Sequence, residues 1–260
     1  MELTWYDSNS WLIEMGGQRI LLDPWLVGDL TFGDTPWLFR GFRPQPLEMP
    51  TNIDLILLSQ GLEDHAHPPT LKELNKSWPV LGSPKAAEVA TDLGYEQVHP
   101  LPHQQKFVLN DRVEIFALPG SPIGPTLVEN AYVLTDLQTG TKLYYEPHGF
   151  HSSQLQDLGP IDVVLTPVIG INILGFIPVL NGQKTTLELC RTVHPQAIVP
   201  TSGAAELSYD GLLTKVLRLD GDLDQFRQSL GNEGIQATLL EPQVGVPLTI
   251  PLDVPQAAVG

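Results

Sequence analysis

Residues 57–67 read Leu57-Leu58-Ser59-Gln60-Gly61-Leu62-Glu63-Asp64-His65-Ala66-His67, and they say more about the fold than any other stretch. They begin inside an apolar run, residues 54–59, that is typical of a strand buried on both faces. The next segment, residues 69–74, predicts a short helix, because proline is tolerated in the first turn of a helix. The stretch therefore predicts a polar site in the loop between a buried strand and a helix.

Strand and helix patterns recur on both sides of this loop. Short strands at residues 3–6, 10–14 and 18–23 open the chain, the last two joined by a Gly16-Gly17 turn. Further strands are predicted at 80–82, 112–118, 129–136, 142–145, 161–165 and 197–200, and further helices at 84–93, 185–193 and 222–230. Strands followed by strand–helix units occur in both halves, so the order predicts one α/β domain over residues 1–260, made of two similar halves.

The charge and the cysteine content exclude several classes of protein. The chain has 14 Lys and Arg against 30 Asp and Glu, a net charge of −16, so nucleic acid is not an expected partner. Its single cysteine, Cys190, excludes an intrachain disulfide and any multi-cysteine metal site and fits a reducing compartment. Cys190 falls within a predicted helix, on a face that favours packing in the core over catalysis.

Targeting and membrane segments are not expected either. The first residues have no basic region followed by an apolar one, so the interpretation from sequence is a cytoplasmic protein. The most apolar run, residues 161–180, contains two prolines, two glycines and Asp162, which predicts a buried strand and an apolar loop instead of a membrane span. Serine-hydrolase and nucleotide-binding motifs are not found.

The loop after the buried strand resembles the metallo-β-lactamase superfamily. That family carries H-x-H-x-D-H at this place, where two histidines hold one metal ion and the following Asp and His hold a second. On that pattern Gln60 takes the position of the first histidine and Leu62 that of the second. Asp64 and His65 match the family, so the motif is degenerate.

Other segments extend the resemblance over most of the chain. Residues 3–26, with a strand that ends in Asp23-Pro24, are similar to the opening strands of the lactonase-like and phospholipase-like subgroup. Asp23 itself is predicted to fix the turn after its strand. Residues 142–145, followed by Glu146, lie where the family has a strand that ends in a metal-bridging Asp. The two remaining family histidines are replaced, one by residues 119–122 and the other by Thr201 and Ser202.

The resemblance implies a four-layer αββα sandwich, with two mixed sheets face to face and helices outside. It also implies that the first metal position is lost, because its three histidines are absent and Leu62 has no donor atom. A single site could be rebuilt around the second position. The candidate ligands are Asp64, His65, His67, Glu146, His148 and His151. Glu146 and His148 are two residues apart and face the same side of an extended strand end, and Pro68 keeps His67 out of the helix. Donors of these types accept Zn²⁺, Mn²⁺ or Fe²⁺ without preference.

Two functions follow from these expectations. The first is a divergent metal-dependent hydrolase of an ester, a lactone or a phosphoester, in which Asp64 or Glu146 serves as the base. The second is a protein that has lost its metals and serves for binding or scaffolding. An Asp-His pair before a helix can equally form a cap without any metal. The apolar residues 168–180, with Trp25, Trp37 and neighbouring aromatic residues, predict an apolar small-molecule ligand, an accessory core or a homodimer contact.

Overall fold

The computed structural model describes residues 1–124 and 126–253, which form twenty strands and four α-helices. The first ten strands are β1 Glu2–Trp5, β2 Trp11–Met15, β3 Gln18–Leu22, β4 Leu30–Thr31, β5 Arg40–Phe42, β6 Leu55–Leu58, β7 Val80–Gly82, β8 Val98–Pro100, β9 Lys106–Leu109 and β10 Val113–Ile123. The other ten are β11 Leu127–Asp136, β12 Lys142–Tyr145, β13 Val163–Thr166, β14 Gly170–Ile173, β15 Ile177–Leu180, β16 Ala197–Pro200, β17 Ser208–Asp210, β18 Leu217–Asp220, β19 Thr238–Leu239 and β20 Pro247–Thr249. The helices are α1 Pro68–Glu73, α2 Pro84–Asp92, α3 Gln183–Val193 and α4 Leu223–Asn232, and 3₁₀ turns lie at Ser153–Asp157 and Leu213–Lys215.

Two mixed sheets of seven strands each make up most of the fold. The first has the order β20-β1-β2-β3-β6-β7-β8, and the second has the order β19-β16-β13-β12-β11-β10-β9. In each sheet an antiparallel meander continues into parallel strands, because the later strands are connected through helices or longer loops. This is the mixed-sheet pattern that the resemblance to the metallo-β-lactamase superfamily implied, with support from the order of predicted strands and helices.

Three layers of buried side chains show how the elements stack. The largest apolar cluster takes residues from both sheets, for example Trp11 and Leu57 from the first and Tyr145 and Val199 from the second. A second cluster joins the outer face of the second sheet to α3 and α4. A third joins the outer face of the first sheet to α1 and α2. The sequence of layers is helix, sheet, sheet, helix, which confirms the αββα prediction.

Two parts of the chain differ from the expectation from sequence. The segment predicted as an apolar loop, residues 168–180, instead forms the hairpin β14–β15, which pairs with β18 in a separate three-stranded sheet. Strand β10 runs past its predicted end through Pro119 and Pro122, with a shift of register between them. Prolines are compatible with a strand at such an irregularity, because the ladder is interrupted there. No helix among the described residues is long and apolar enough to cross a membrane.

The topology brings polar loops from both sheets to one edge of the sandwich. Strands β3 and β6 are parallel neighbours in the first sheet, and β12, β13 and β16 are parallel neighbours in the second. Their carboxyl ends share one edge, where Tyr145 of β12 donates a hydrogen bond from its hydroxyl to Oδ2 of Asp23 at 2.7 Å. This bond joins the two sheets at the point where the sequence predicted a polar site.

Candidate metal centre

Three of the predicted ligands meet at this edge. Asp64 and His65, from the loop after β6, and His148, from the loop after β12, each offer a ligand atom, and these atoms lie within 4.8 Å of one another. The nearest pair is Oδ2 of Asp64 and Nε2 of His65, 3.3 Å apart. The rings of His65 and His148 are tilted against each other with 5.1 Å between their centroids. One carboxylate and two imidazoles therefore converge on a common point.

Asp23 fixes the orientation of His65. Its Oδ2 accepts hydrogen bonds from Nδ1 of His65 at 2.7 Å and from the Ser59 hydroxyl at 2.5 Å, and its Oδ1 accepts the Ser59 amide at 2.7 Å. The side chain of Asp23 is fully buried, and its backbone has a φ of 42°, a conformation in which Asp is enriched. Because Nδ1 carries the proton of this bond, Nε2 of His65 is directed at the cluster. A carboxylate behind an imidazole is the usual partner of a metal-binding histidine.

The site concentrates negative charge around His65. Burial lowers the pKa of His65, but the carboxylates of Asp64 and Asp23 outweigh it and raise the pKa to about 10. Burial likewise raises the pKa of Asp64, yet the charge of His65 and its hydrogen bond bring the pKa down to about 2. Burial and the charge of His65 lower the pKa of His148 to about 3. At neutral pH Asp64 is therefore ionised and His148 neutral, the states in which each binds a cation, whereas His65 is protonated and would release its Nε2 proton on binding one.

The position of the first family histidine is occupied by a hydrogen-bond network. Gln60 is buried, and its Nε2 lies 2.7 Å from Oγ of Ser121 and 2.9 Å from Nδ1 of His148. Ser121 in turn lies 3.2 Å from the same Nδ1. Gln60 and Ser121 thus stand where the family has metal ligands, and they position His148 instead.

The orientation of the Gln60 amide determines what His148 can do. When Nε2 of Gln60 faces His148, it donates a hydrogen bond to Nδ1 of His148, and the proton of the imidazole then lies on Nε2 of His148. In this orientation Oε1 of Gln60 has no partner among the described residues. Turning the amide over exchanges its oxygen and nitrogen without moving other atoms. Oε1 of Gln60 then accepts a hydrogen bond from Nδ1 of His148. Nε2 of His148 has no proton in this state and can bind a cation through its lone pair.

The last family histidine is also replaced by satisfied hydroxyl groups. Thr201 Oγ1 accepts a hydrogen bond from Nε1 of Trp11 at 2.9 Å, and Ser202 Oγ lies 2.6 Å from Oδ1 of Asn9 and 2.5 Å from the carbonyl oxygen of Pro147, to either of which its hydroxyl can donate. These bonds connect the two sheets. The side chains at these positions hold the fold together and are not left free for a metal.

Three predicted ligands lie outside the cluster of Asp64, His65 and His148. His67 caps helix α1, since its Nδ1 accepts from the amide of Thr70, and its Nε2 lies 3.2 Å from the carbonyl of Asp29. Glu146 accepts the amides of His148 at 3.1 Å and Phe150 at 2.7 Å through Oε2. Both side chains thereby hold the two loops that carry the cluster.

His151 is the third of these residues. Its Nδ1 lies 3.3 Å from the hydroxyl of Tyr144, and burial lowers its pKa to about 4. Burial raises the pKa of Glu146 to about 8, so this carboxyl is largely protonated at neutral pH. A protonated Glu146 with its oxygen engaged by two amides is poorly suited to be the base that the sequence suggested.

The donor set of the cluster fits a divalent cation. Asp64 Oδ1 and His65 Nε2 are buried and have no hydrogen-bond partner among the described residues, as expected of atoms that face a missing ligand. Two imidazoles and one carboxylate are a common set for Zn²⁺ and for non-haem Fe²⁺, and they leave coordination positions open for water and substrate. Asp64, His65 and His148 are therefore the residues that would hold a metal.

Two mixed sheets face to face, helices outside, and an Asp-His cluster after a buried strand define a protein of the metallo-β-lactamase class. A family model described as "Beta-lactamase superfamily domain" matches residues 2–202. The chain belongs to this superfamily as a divergent member, which confirms the resemblance stated from its motif. No curated protein matches the sequence.

Solved structures show the same fold at low sequence identity. Igni18, a metallo hydrolase of the archaeon Ignicoccus hospitalis, is 15% identical, with a TM-score of 0.67 over 97% of this chain and 99% of that chain. An isothiocyanate hydrolase from Delia radicum gut bacteria is 17% identical, with a TM-score of 0.69 over 96% and 99%. CmlA, a diiron β-hydroxylase of Streptomyces venezuelae, is 16% identical, with a TM-score of 0.65 over 96% of this chain and 54% of that chain. These likenesses show the shared fold and leave the activity and the substrate open.

Proposed function

We propose that this protein is a hydrolase with one divalent metal ion, held by Asp64, His65 and His148, that cleaves a neutral ester or lactone. The observation that carries the proposal is the convergence of these three donors while the other metal position is filled by Gln60 and Ser121. A cation bound there would lower the pKa of a water molecule and polarise the carbonyl of an ester.

The residues of the chain have separate tasks in this proposal. Asp23 keeps Nε2 of His65 directed at the site, and Gln60 holds the ring of His148. Asp64 has one oxygen near His65 and a second, Oδ1, without a partner among the described residues. Because its pKa of about 2 keeps it ionised, Asp64 would offer this oxygen to the cation as a negatively charged ligand.

The charges around the site favour a neutral carbonyl substrate over a phosphoester. The charges that shift the pKa of Asp64 and of His148 come from histidines and from Asp64 itself, not from a lysine or an arginine. Enzymes of phosphoryl transfer stabilise the developing negative charge with such cations or with a second metal ion. An ester or a lactone needs only one carbonyl oxygen to be polarised.

Elemental mass spectrometry on untagged protein purified without chelator tests the proposal. We expect about one equivalent of Zn, Mn or Fe per chain, lost in Asp64→Asn and in His148→Gln. His99→Gln is the matched control, because His99 is exposed and its ring lies 5.5 Å from Phe107, away from the cluster. Hydrolysis of a panel of esters and lactones should follow the metal content. Absence of metal after incubation with all three ions would refute a metal site, and metal without hydrolysis would refute the reaction.

The second candidate is a binding or scaffolding protein without catalysis. The network of Gln60, Ser121 and His148 favours it, since a satisfied network can exist for the structure alone. In that case Asp64→Asn and His148→Gln would leave the binding of a partner unchanged. Metal content and hydrolysis would then both be absent from the wild-type protein.

A further inference from the structure

One face of the sheet formed by β15, β14 and β18 is aliphatic and partly exposed. In its register Ile171 pairs with Leu219, and Ile173 pairs with Leu217 and with Ile177, so all five side chains share one face. Leu219 is 75% exposed and Ile177 48% exposed. A face made only of aliphatic residues is usually packed against a core, and an exposed one marks an interaction surface.

The opposite face of this sheet is polar, with Arg218 and Asp220 exposed. Asn172 and Asp220 line a cavity of about 690 Å³ beside the start of α3, together with Gln183 and Arg191. Asn172 pairs with Arg218 in the ladder, so Arg218 also belongs to the polar face.

The two edges of the sheet differ in their capacity to pair. Pro178 lies in β15, opposite Asn172, and proline on an edge removes a donor and discourages further pairing. Strand β18 forms the other edge and contains no proline. The edge of β18 is therefore the one open to another strand.

The hydrogen bonds of β18 fix which of its backbone groups are free. The amide of Leu174 donates to the carbonyl of Val216 at 2.8 Å, and antiparallel bonds alternate along a strand. The groups of Arg218 and Asp220 thus point at β14, and those of Leu217 and Leu219 point outward. The outward carbonyl of Leu217 accepts a hydrogen bond from the guanidinium of Arg218 at 2.7 Å, and the same guanidinium donates to the carbonyl of Lys215 at 2.9 Å. Pairing along this edge would replace these two bonds.

We propose that two copies of this chain pair through β18, antiparallel, about a two-fold axis at Leu219. In that register Leu219 lies opposite the partner's Leu219, and Arg218 lies opposite the partner's Asp220 on the polar face. Neither Arg218 nor Asp220 forms an ion pair among the described residues, although they lie two positions apart on one strand. Opposite charges directly across a strand pair are stabilising, and this pairing creates two such contacts by symmetry.

A second copy suits this edge better than a membrane does. A net charge of −16 repels an anionic bilayer. The strand, by contrast, carries one positive and one negative charge placed symmetrically about Leu219, and such a sequence is complementary to itself. The exposed aliphatic face then continues across the axis as a sheet of six strands, with the Leu219 side chains in contact at its centre.

The pairing is tested by exchanging the charges at residues 218 and 220 and measuring the mass of the full chain in solution by sedimentation velocity. We expect wild-type protein at twice the monomer mass of 28.5 kDa. Arg218→Asp places two carboxylates opposite each other and Asp220→Arg two cations, so each should weaken dimerisation by about tenfold or more. The double variant Arg218→Asp/Asp220→Arg restores opposite charges and should restore the dimer. The exchange of Asp224 and Arg227, an exposed pair on α4 at 2.7 Å, makes the same change of charge away from the strand and should have no effect.

Several results would overturn the proposal. A monomer at all concentrations would do so, and a wild-type monomer that binds neutral phosphatidylcholine vesicles would assign the face to a membrane. A dimer that is unaffected by the single charge substitutions at residues 218 and 220 but is lost in Leu219→Asp would show that the copies pack through the aliphatic faces of their sheets and not through the edges of β18. Circular dichroism of each variant distinguishes loss of pairing from loss of the fold.

Discussion

Asp23→Asn is the substitution that tests most directly how the site is held. Asp23 receives four hydrogen bonds, from the amide and hydroxyl of Ser59, from Nδ1 of His65 and from the hydroxyl of Tyr145. Asparagine has nearly the same shape and tolerates the positive φ of this position. The substitution therefore changes the charge and one acceptor and leaves the backbone and the packing in place.

The magnitude follows from the number of donors. The amide nitrogen of Asn must face either the Ser59 amide or the three donors that bond to Oδ2 of Asp23, which are the Ser59 hydroxyl, Nδ1 of His65 and the Tyr145 hydroxyl. At least one buried donor therefore loses its partner. That loss costs about 1–3 kcal/mol of unfolding free energy. The affinity for the metal should fall by about 10- to 100-fold, because His65 loses the carboxylate that fixes its ring and makes Nε2 a stronger donor.

The assay is competition for Zn²⁺ against a chelator of known affinity, with urea unfolding of the metal-free protein in parallel. Asp54→Asn is the matched control, because Oδ2 of Asp54 accepts the amide of Arg19 at 2.8 Å at the opposite end of β6. It should lower the stability and leave the affinity for metal unchanged. If Asp23→Asn binds Zn²⁺ as tightly as the wild-type protein does, Asp23 does not orient His65 and the reasoning fails.

Three further predictions concern the backbone, the pH response and the thiol. A Cβ at Gly149 would lie 2.2 Å from the carbonyl of Asn181, whereas at Gly140, with nearly the same φ, it meets nothing within 4 Å. Gly149→Ala should therefore lower the melting temperature and the metal content more than Gly140→Ala does, and equal effects would contradict the clash. Burial lowers the pKa of His151 from its ordinary 6.5 to about 4 in the folded protein. At a pH between these two values, His151 is protonated in the unfolded chain and neutral in the folded chain. Stability should fall as the pH drops from 7 to 5, and His151→Asn should remove up to about 2 kcal/mol of that fall in urea unfolding; an unchanged slope would show that His151 is not buried as a neutral group. Cys190 is 1% exposed and burial raises its pKa to about 12, so an aromatic disulfide reagent should label it only as fast as the protein unfolds. Rapid labelling of folded protein would place this thiol at the surface.

The layers of the fold were predictable mainly from the resemblance of residues 57–67 and other segments to the metallo-β-lactamase superfamily, which implied the two sheets. The buried strand before Ser59 and the strand–helix alternation on both sides supported an α/β domain. The hairpin of residues 170–180 was not anticipated, because an apolar run does not by itself distinguish a loop from a pair of strands. The glycines at 170 and 175 were available signals, since Gly175 has a φ of 82° at the turn.

The site was predictable in its residue types more than in its contacts. Asp64, His65 and His148 were all among the candidate ligands, and the structure brings them together. His67 was included because Pro68 keeps it extended, yet the same proline begins a helix, and Thr70 three positions later makes His67 its cap. The role of Asp23 was missed. Its signal was the position directly after β3, whose parallel neighbour β6 is followed directly by Ser59, so that the two strand ends lie side by side.

The replacement of the first metal position limits the chemistry that this site can perform. With two cations, an enzyme can stabilise the attacking and the leaving oxygen at once. Here Gln60 and Ser121 occupy that place and bond to His148, so on the proposed function only one cation is expected. The leaving group must then depart without a metal to stabilise it, and Glu146, the nearest proton-bearing carboxyl, is tied to the amides of its own loop. Substrates whose leaving group needs little help, such as a strained lactone or an activated ester, are accordingly the ones to test first.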